Sequence, residues 1–159
     1  MISPSWFFER LRCLLAGRFP QAVRRECSYE VRRVMIDSKP CDVHDVAKLL
    51  KGHRYNVGSE CDFQRGVLDV LTRSRIACEA EYDLPGSGRI DLFLPQLRIG
   101  IELKVKGSPS QILRQLYRYA RCPILTSLLL ITSRPRLNPI PLSIYGKPLA
   151  VLSVWEDLL

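Results

Sequence analysis

The sequence predicts an α/β fold, a mixed central β-sheet flanked by helices and preceded by a helical, basic N-terminal segment. Three features point there. Apolar residues recur at helical spacing up to residue 73 and again from 109 to 121, short apolar runs of strand length lie between and beyond them, and turn-forming residues separate the runs. The resulting order of helix, three strands, helix, strand, strand is that of a layered α/β domain. A chain of 159 residues is long enough to build one sizeable core.

Phe7, Leu11, Leu14 and Leu15, then Val23, Val31 and Val34 amid Arg24, Arg25, Arg32 and Arg33, give residues 1–55 a helical, arginine-rich reading, set apart from a core domain over residues 56–159. Near the end of that first segment, Asp42 is placed to cap a helix running through Val46, Leu49 and Leu50 to a stop at Gly52. Ser59 is the N-cap candidate for the next helix, whose stripe is Phe63, Val67, Leu68, Val70 and Leu71 and which ends near Arg73. Residues 76–84 predict a strand, Pro85, Gly86, Ser87 and Gly88 a hairpin turn, residues 89–94 a second strand and 97–105 a third. Ser108, Pro109 and Gln111 spell a helix start, with a cap, a proline at the first helical position and a glutamine able to close a capping box; this helix runs to about Arg121. A strand over 125–132, a proline-rich loop (Pro135, Pro139, Pro141) and a last strand over 149–154 complete the pattern.

With 24 Lys and Arg against 16 Asp and Glu, the chain has a formal net charge of +8 and a pI near 9.4. Such an excess favours a polyanionic partner, because basic side chains gain affinity by displacing counterions from phosphates. It is unevenly spread: residues 1–55 hold 11 basic and 6 acidic residues, net +5 of the whole. That segment reads equally as an arm lying on a nucleic acid and as a helical layer whose basic face is merely solvated. The six cysteines form no CxxC pair and have no closely spaced histidine, which argues against a zinc site and for reduced, mostly buried thiols. No apolar run approaches the length of a membrane span, and residues 1–15 mix aromatics with charges unlike a secretory signal, so a cytoplasmic protein is expected.

The most informative stretch is residues 88–107, GRIDLFLPQLRIGIELKVKG. Period-two geometry sends Ile99, Ile101, Leu103 and Val105 to one face of a strand and Glu102 with Lys104 to the other. A carboxylate and an ammonium on an otherwise interior strand are expensive to bury unless they pair or bind a metal. Asp91 lies between Ile90 and Leu92 on the preceding strand, and a short hairpin can bring it beside Glu102. Two carboxylates suit a hard cation such as Mg²⁺, with a lysine to position a water or offset charge on a phosphate. A strand-edge salt bridge serving the fold accounts for the same residues. Beyond this stretch, Gln115 and Tyr119 lie one helical turn apart and face the same way.

Together, Asp91, the Glu102-Leu103-Lys104 triplet and Gln115-x-x-x-Tyr119 resemble the motifs of the PD-(D/E)xK nuclease superfamily, in particular its RecB-type branch with a QxxxY helix. The resemblance spans roughly residues 59–159, with Ile90 where the motif's name would put proline; residues 1–57 have no part in it. It implies a restriction-endonuclease-like core in which Asp91, Glu102 and the Leu103 carbonyl hold Mg²⁺, or Mn²⁺ in its place. Lys104 would contact the attacking water, Glu60 would bind the metal directly or through water, and Gln115 and Tyr119 would orient the lysine or a backbone phosphate. Glu79 and Glu81 compete with Glu60 for the third acidic role. Candidate nucleic-acid contacts are Arg89, Lys106, Arg114 and Arg118 around these motifs, and Arg24, Arg25, Arg32 and Arg33 in the leading segment.

The expected function is a metal-dependent DNA nuclease, an endonuclease, cytoplasmic and nucleoid-associated when bound to DNA, with no membrane partner. A homodimer offering two active sites suits so short a chain. Two other readings stand beside it: a nucleic-acid-binding protein that no longer cuts, and a regulator that grips a protein partner through its arginine-rich front.

Overall fold

The computed structural model describes residues 42–134 and 140–154 in full, and residues 35–36 and 39–40 by their backbone. The expected helices of the leading segment, with Arg24, Arg25, Arg32 and Arg33, lie outside the described residues, as do Pro135 and Pro139. The chain divides into two compact units, Met1–Arg33 and Val34–Leu159, and every element below belongs to the second.

A two-residue ladder joins β1 (Met35–Ile36) to β2 (Lys39–Pro40). The helix α1 (Val43–Leu50) begins where Asp42 caps it, its carboxylate accepting from the His44 and Asp45 amides at 2.8 and 3.0 Å. In α2 (Glu60–Arg73) the Ser59 hydroxyl does the same for the Asp62 amide at 3.0 Å. There follow β3 (Glu79–Leu84), β4 (Gly88–Leu94), β5 (Ile99–Lys104), α3 (Pro109–Ala120), β6 (Ser127–Thr132), β7 (Ser143–Ile144) and β8 (Lys147–Ser153). The start of α3 is the expected capping box: the Ser108 amide donates to Gln111 Oε1 at 3.0 Å and the Gln111 amide to Ser108 Oγ at 3.3 Å.

Six strands form one mixed sheet in the order β3-β4-β5-β6-β8-β7. β3, β4 and β5 run antiparallel to one another in turn, β5, β6 and β8 run parallel, and β7 folds back antiparallel on β8. Helices cover both faces. On one, Val46 and Leu50 of α1 and Phe63, Val67 and Leu71 of α2 pack on Ile101, Leu103, Ile131 and Leu152. On the other, Ile112, Leu116 and Tyr119 of α3 pack on Ile90, Leu128 and Leu130. Strand β6 is buried along its whole length between the two layers, which is why its sequence SLLLIT shows no alternation.

Several elements depart from expectation, among them the β1–β2 ladder in a segment read as helical, β6, which starts at Ser127 rather than residue 125, and β8, which starts at Lys147 rather than residue 149. β3 starts at Glu79 rather than residue 76, because Ile76 enters the core from a turn before the ladder begins. The hairpin of β7 and β8 was hidden in the proline-rich stretch: its turn is Tyr145-Gly146, both at positive φ (50° and 75°), and a tyrosine carries no turn signal. Among the described residues no helix is long and apolar enough to cross a membrane.

Candidate active site

Alternation along β5 works as its sequence predicts, with Ile99, Ile101 and Leu103 in the layer of α1 and α2 and Gly100 and Glu102 turned to the α3 side. Gly100 is there for space: a β-carbon on it would lie 2.6 Å from Ile90 Cδ1 and 3.0 Å from Leu125 Cδ1. One residue pair further on, Glu102 is fully buried at 0% exposure, and Lys104 Nζ stands 2.6 Å from its Oε1. Beyond that ion pair, the Asp91 amide acts weakly on the Glu102 carboxylate, and neither of its oxygens makes a hydrogen bond of regular geometry among the described residues.

Asp91 approaches from β4. Its Oδ2 accepts the Leu103 amide at 2.6 Å, and the β4–β5 ladder ends just before it, at Leu92 and Ile101. Thus a side-chain carboxylate takes over a main-chain donor where regular pairing stops. Ile90 and Phe93 belong to the α3-side core while Leu92 and Leu94 belong to the other, so the side-chain alternation of β4 slips by one at Asp91. The neighbouring strand is irregular at the same level. Glu81 has a φ of 53° and drops out of the ladder between the pairs Ala80–Leu92 and Tyr82–Ile90. A non-glycine residue in the left-handed region stores strain, and such residues gather at functional sites.

Side chains make good the interrupted ladders. Gln64 Nε2, from α2, donates to the Asp91 main-chain oxygen at 2.9 Å and to Glu81 Oε1 at 3.1 Å. The Tyr119 hydroxyl donates to the Arg89 main-chain oxygen and accepts Gln115 Nε2 at 2.6 Å. The Gln115–Tyr119 pair therefore ends on the backbone of β4, two residues before Asp91. Gln64 escaped the sequence reading, although it lies one helical turn after Glu60 and shares its face.

Asp91, Glu102 and Lys104 are thus brought together. Glu60 is exposed in the first turn of α2, near enough for its charge to act on both Asp91 and Lys104. Among the described residues no three His, Cys, Asp or Glu side chains close on one point. Glu81 pairs with Arg89 at 3.2 Å. Lys106 and Arg114 are exposed, and the Arg118 guanidinium lies 5.5 Å from the Tyr119 ring centre. Cys61, Cys78 and Cys122 are free thiols; Cys122 is buried, burial pushes Cys78 up to about 11, and Cys61 is exposed, unlike the buried position expected for most of them.

Burial dominates the electrostatics. It pushes the Glu102 carboxyl up to about 7, with the Asp91 charge adding to the rise and Lys104 opposing it. Asp91 is raised as well, chiefly by burial, against the Leu103 amide and Lys104. For Lys104 the loss of solvent is outweighed by the Glu102 charge, and its pKa rises. One lysine thus faces two desolvated carboxylates, and a proton or a second cation lowers the cost of keeping both ionised. A buried Glu102 carboxylate with unused lone pairs beside the charge of Asp91 is the donor type that suits a hard divalent ion such as Mg²⁺.

No protein-family model, curated protein or solved structure matches the chain.

Proposed function

We propose that the chain is a metal-dependent DNA nuclease of the PD-(D/E)xK kind, with a restriction-endonuclease-like core in which Asp91 and Glu102 hold Mg²⁺. Glu102 carries this reading: it is a wholly buried carboxylate that faces a second one, and apart from the Lys104 ion pair and a weak influence of the Asp91 amide its oxygens make no hydrogen bond of regular geometry among the described residues. Isolated burial of this kind is costly, and a bound cation relieves it. When bound, Mg²⁺ would polarise a phosphate oxygen and lower the pKa of a water. Lys104 is the partly open member of the cluster, its side chain 16% exposed, and can turn from Glu102 to a water or to charge developing on phosphate. Gln64 and Tyr119 hold the β4 backbone so that Asp91 keeps its aim. The net charge of +8 supports a polyanionic substrate.

The 2.6 Å Lys104–Glu102 pair favours a second reading, in which the pair serves the fold and the protein binds nucleic acid without cutting it. Hydrolysis of plasmid and branched DNA with Mg²⁺ separates the two. The wild type cuts, and Asp91→Ala and Lys104→Ala each lose about 100-fold or more, with no further loss in the double variant because the groups act as one unit. Equal activity in wild type and both variants would overturn the proposal. Salt-sensitive binding that ignores Mg²⁺ and Asp91→Ala, with no cleavage, would establish the second reading.

A further inference from the structure

The inner face of α3 is committed to the core through Ile112, Leu116 and Tyr119. Its outer face carries Arg114, Tyr117, Arg118 and Arg121, which recur at i, i+3, i+4 and i+7 and so form one continuous stripe along a shallow groove. Elsewhere three arginines are matched with acids, Arg65 with Asp62, Arg73 with Asp69 and Arg89 with Glu81, whereas Arg54, Arg75, Arg98 and Arg134 stand apart from one another along the chain without a carboxylate at ion-pair distance among the described residues. Among the described residues none of the three stripe guanidiniums has a carboxylate within ion-pair distance. The stripe is positive charge without local counter-charge.

Tyr145 adds an independent feature. It sits at the tip of the β7–β8 hairpin with a φ of 50°, a position that favours asparagine, aspartate or glycine, and yet is 58% exposed. A strained, solvent-facing tyrosine adds nothing to a core. Its ring meets that of Tyr117 edge-on, 5.7 Å between centres at 88°, and the Arg121 guanidinium lies 5.9 Å from its centre. At the other side of the stripe, Arg118 packs on Gly88, its Nη2 3.4 Å from where a β-carbon would stand. The stripe therefore borders β4, the strand that carries Asp91.

We infer that the outer face of α3, with the Tyr145 turn, binds an unpaired strand of nucleic acid, so that the substrate of the proposed nuclease carries a single-stranded segment beside the cut. The second half of this inference rests on the nuclease reading; the first does not. Arginines alone would serve a duplex, whose phosphates are all on its outside. Exposed rings interleaved with arginines serve a strand whose bases are free to stack, as single-strand surfaces do.

The test is fluorescence anisotropy of the full chain with labelled oligo(dT) and with a duplex of the same length, in EDTA at moderate salt. Wild type binds oligo(dT). The Tyr117→Ala, Tyr145→Ala double variant weakens that binding about 10-fold or more while duplex affinity changes by less than about 2-fold. Replacing both tyrosines by phenylalanine retains oligo(dT) binding, which separates ring stacking from damage to the fold. Arg114→Ala with Arg121→Ala weakens both ligands and reduces the salt slope by about 2. The inference falls if oligo(dT) does not bind, if the alanine pair binds it as well as wild type, or if the alanine pair loses duplex binding equally. Because EDTA removes hydrolysis, binding is scored independently of cleavage: absence of cutting with Mg²⁺ sinks only the nuclease reading.

Discussion

A carboxyl group with no solvent, one cationic neighbour and a second carboxylate opposite holds its proton longer than an exposed one, and Glu102 is so placed. Its pKa of about 7 in the folded chain stands against an ordinary 4.5. Between those values the folded state keeps a proton that the unfolded chain has released, so stability falls as pH rises through the window and levels off above it. The size of the fall is up to about 3 kcal/mol, and Asp91, also raised, adds in the same direction. Thermal melts in EDTA from about pH 5 to about pH 8 should therefore show a declining midpoint. Glu102→Gln should flatten the decline while losing activity. Mg²⁺ should raise the wild-type midpoint at alkaline pH and leave that of Glu102→Gln unmoved; an equal rise in both would place the cation elsewhere.

At the scale of elements, β4 is held by side chains where its ladders fail. Tyr119→Phe leaves the Arg89 carbonyl and the Gln115 amide without their partner, and should cost about 1–3 kcal/mol in urea unfolding together with a lower turnover. Unchanged stability would mean that water replaces the hydroxyl. Much of this element was legible beforehand: the spacing of Gln115 and Tyr119 put both on one helix face, and the caps at Asp42, Ser59 and Ser108 marked helix starts correctly. What Gln115 and Tyr119 reach was not legible. Nor was the slip in β4, because RIDLFL alternates well enough to put Ile90, Leu92 and Leu94 on one face, whereas Ile90 parts from the other two. The left-handed Glu81 opposite gives no warning either, since glutamate is not a residue that marks such a conformation.

For the molecule as a whole, charge is the property that the sequence distributes most unevenly. Replacing Arg24, Arg25, Arg32 and Arg33 by alanine should weaken binding to all DNA sequences alike and lower the slope of log K against log salt by about 3 to 4. If affinity and slope stay as they were, the leading segment does not lie on DNA. The two compact units divide at Arg33 and Val34, and α1 packs in the same core as α2. A charge count could not show this, because the apolar face of α1 is a better guide to its partners than the basic residues around it.

By itself the sequence determined the three described helices and most strands of the large sheet, the layered α/β class, and the sharing of one strand face by Glu102 and Lys104. Those follow from caps, turns and periodicity, whose causes lie within a few residues of one another. Tertiary structure decided that Asp91 takes the Leu103 amide, that Glu102 is wholly buried with Lys104 as its ion-pair partner, and that Gln64 and Tyr119 hold the β4 backbone. It also joined Tyr145 to the arginine stripe of α3. Such outcomes depend on strand register and on which main-chain groups a ladder leaves unpaired, and these are settled only when segments far apart in the chain pack together.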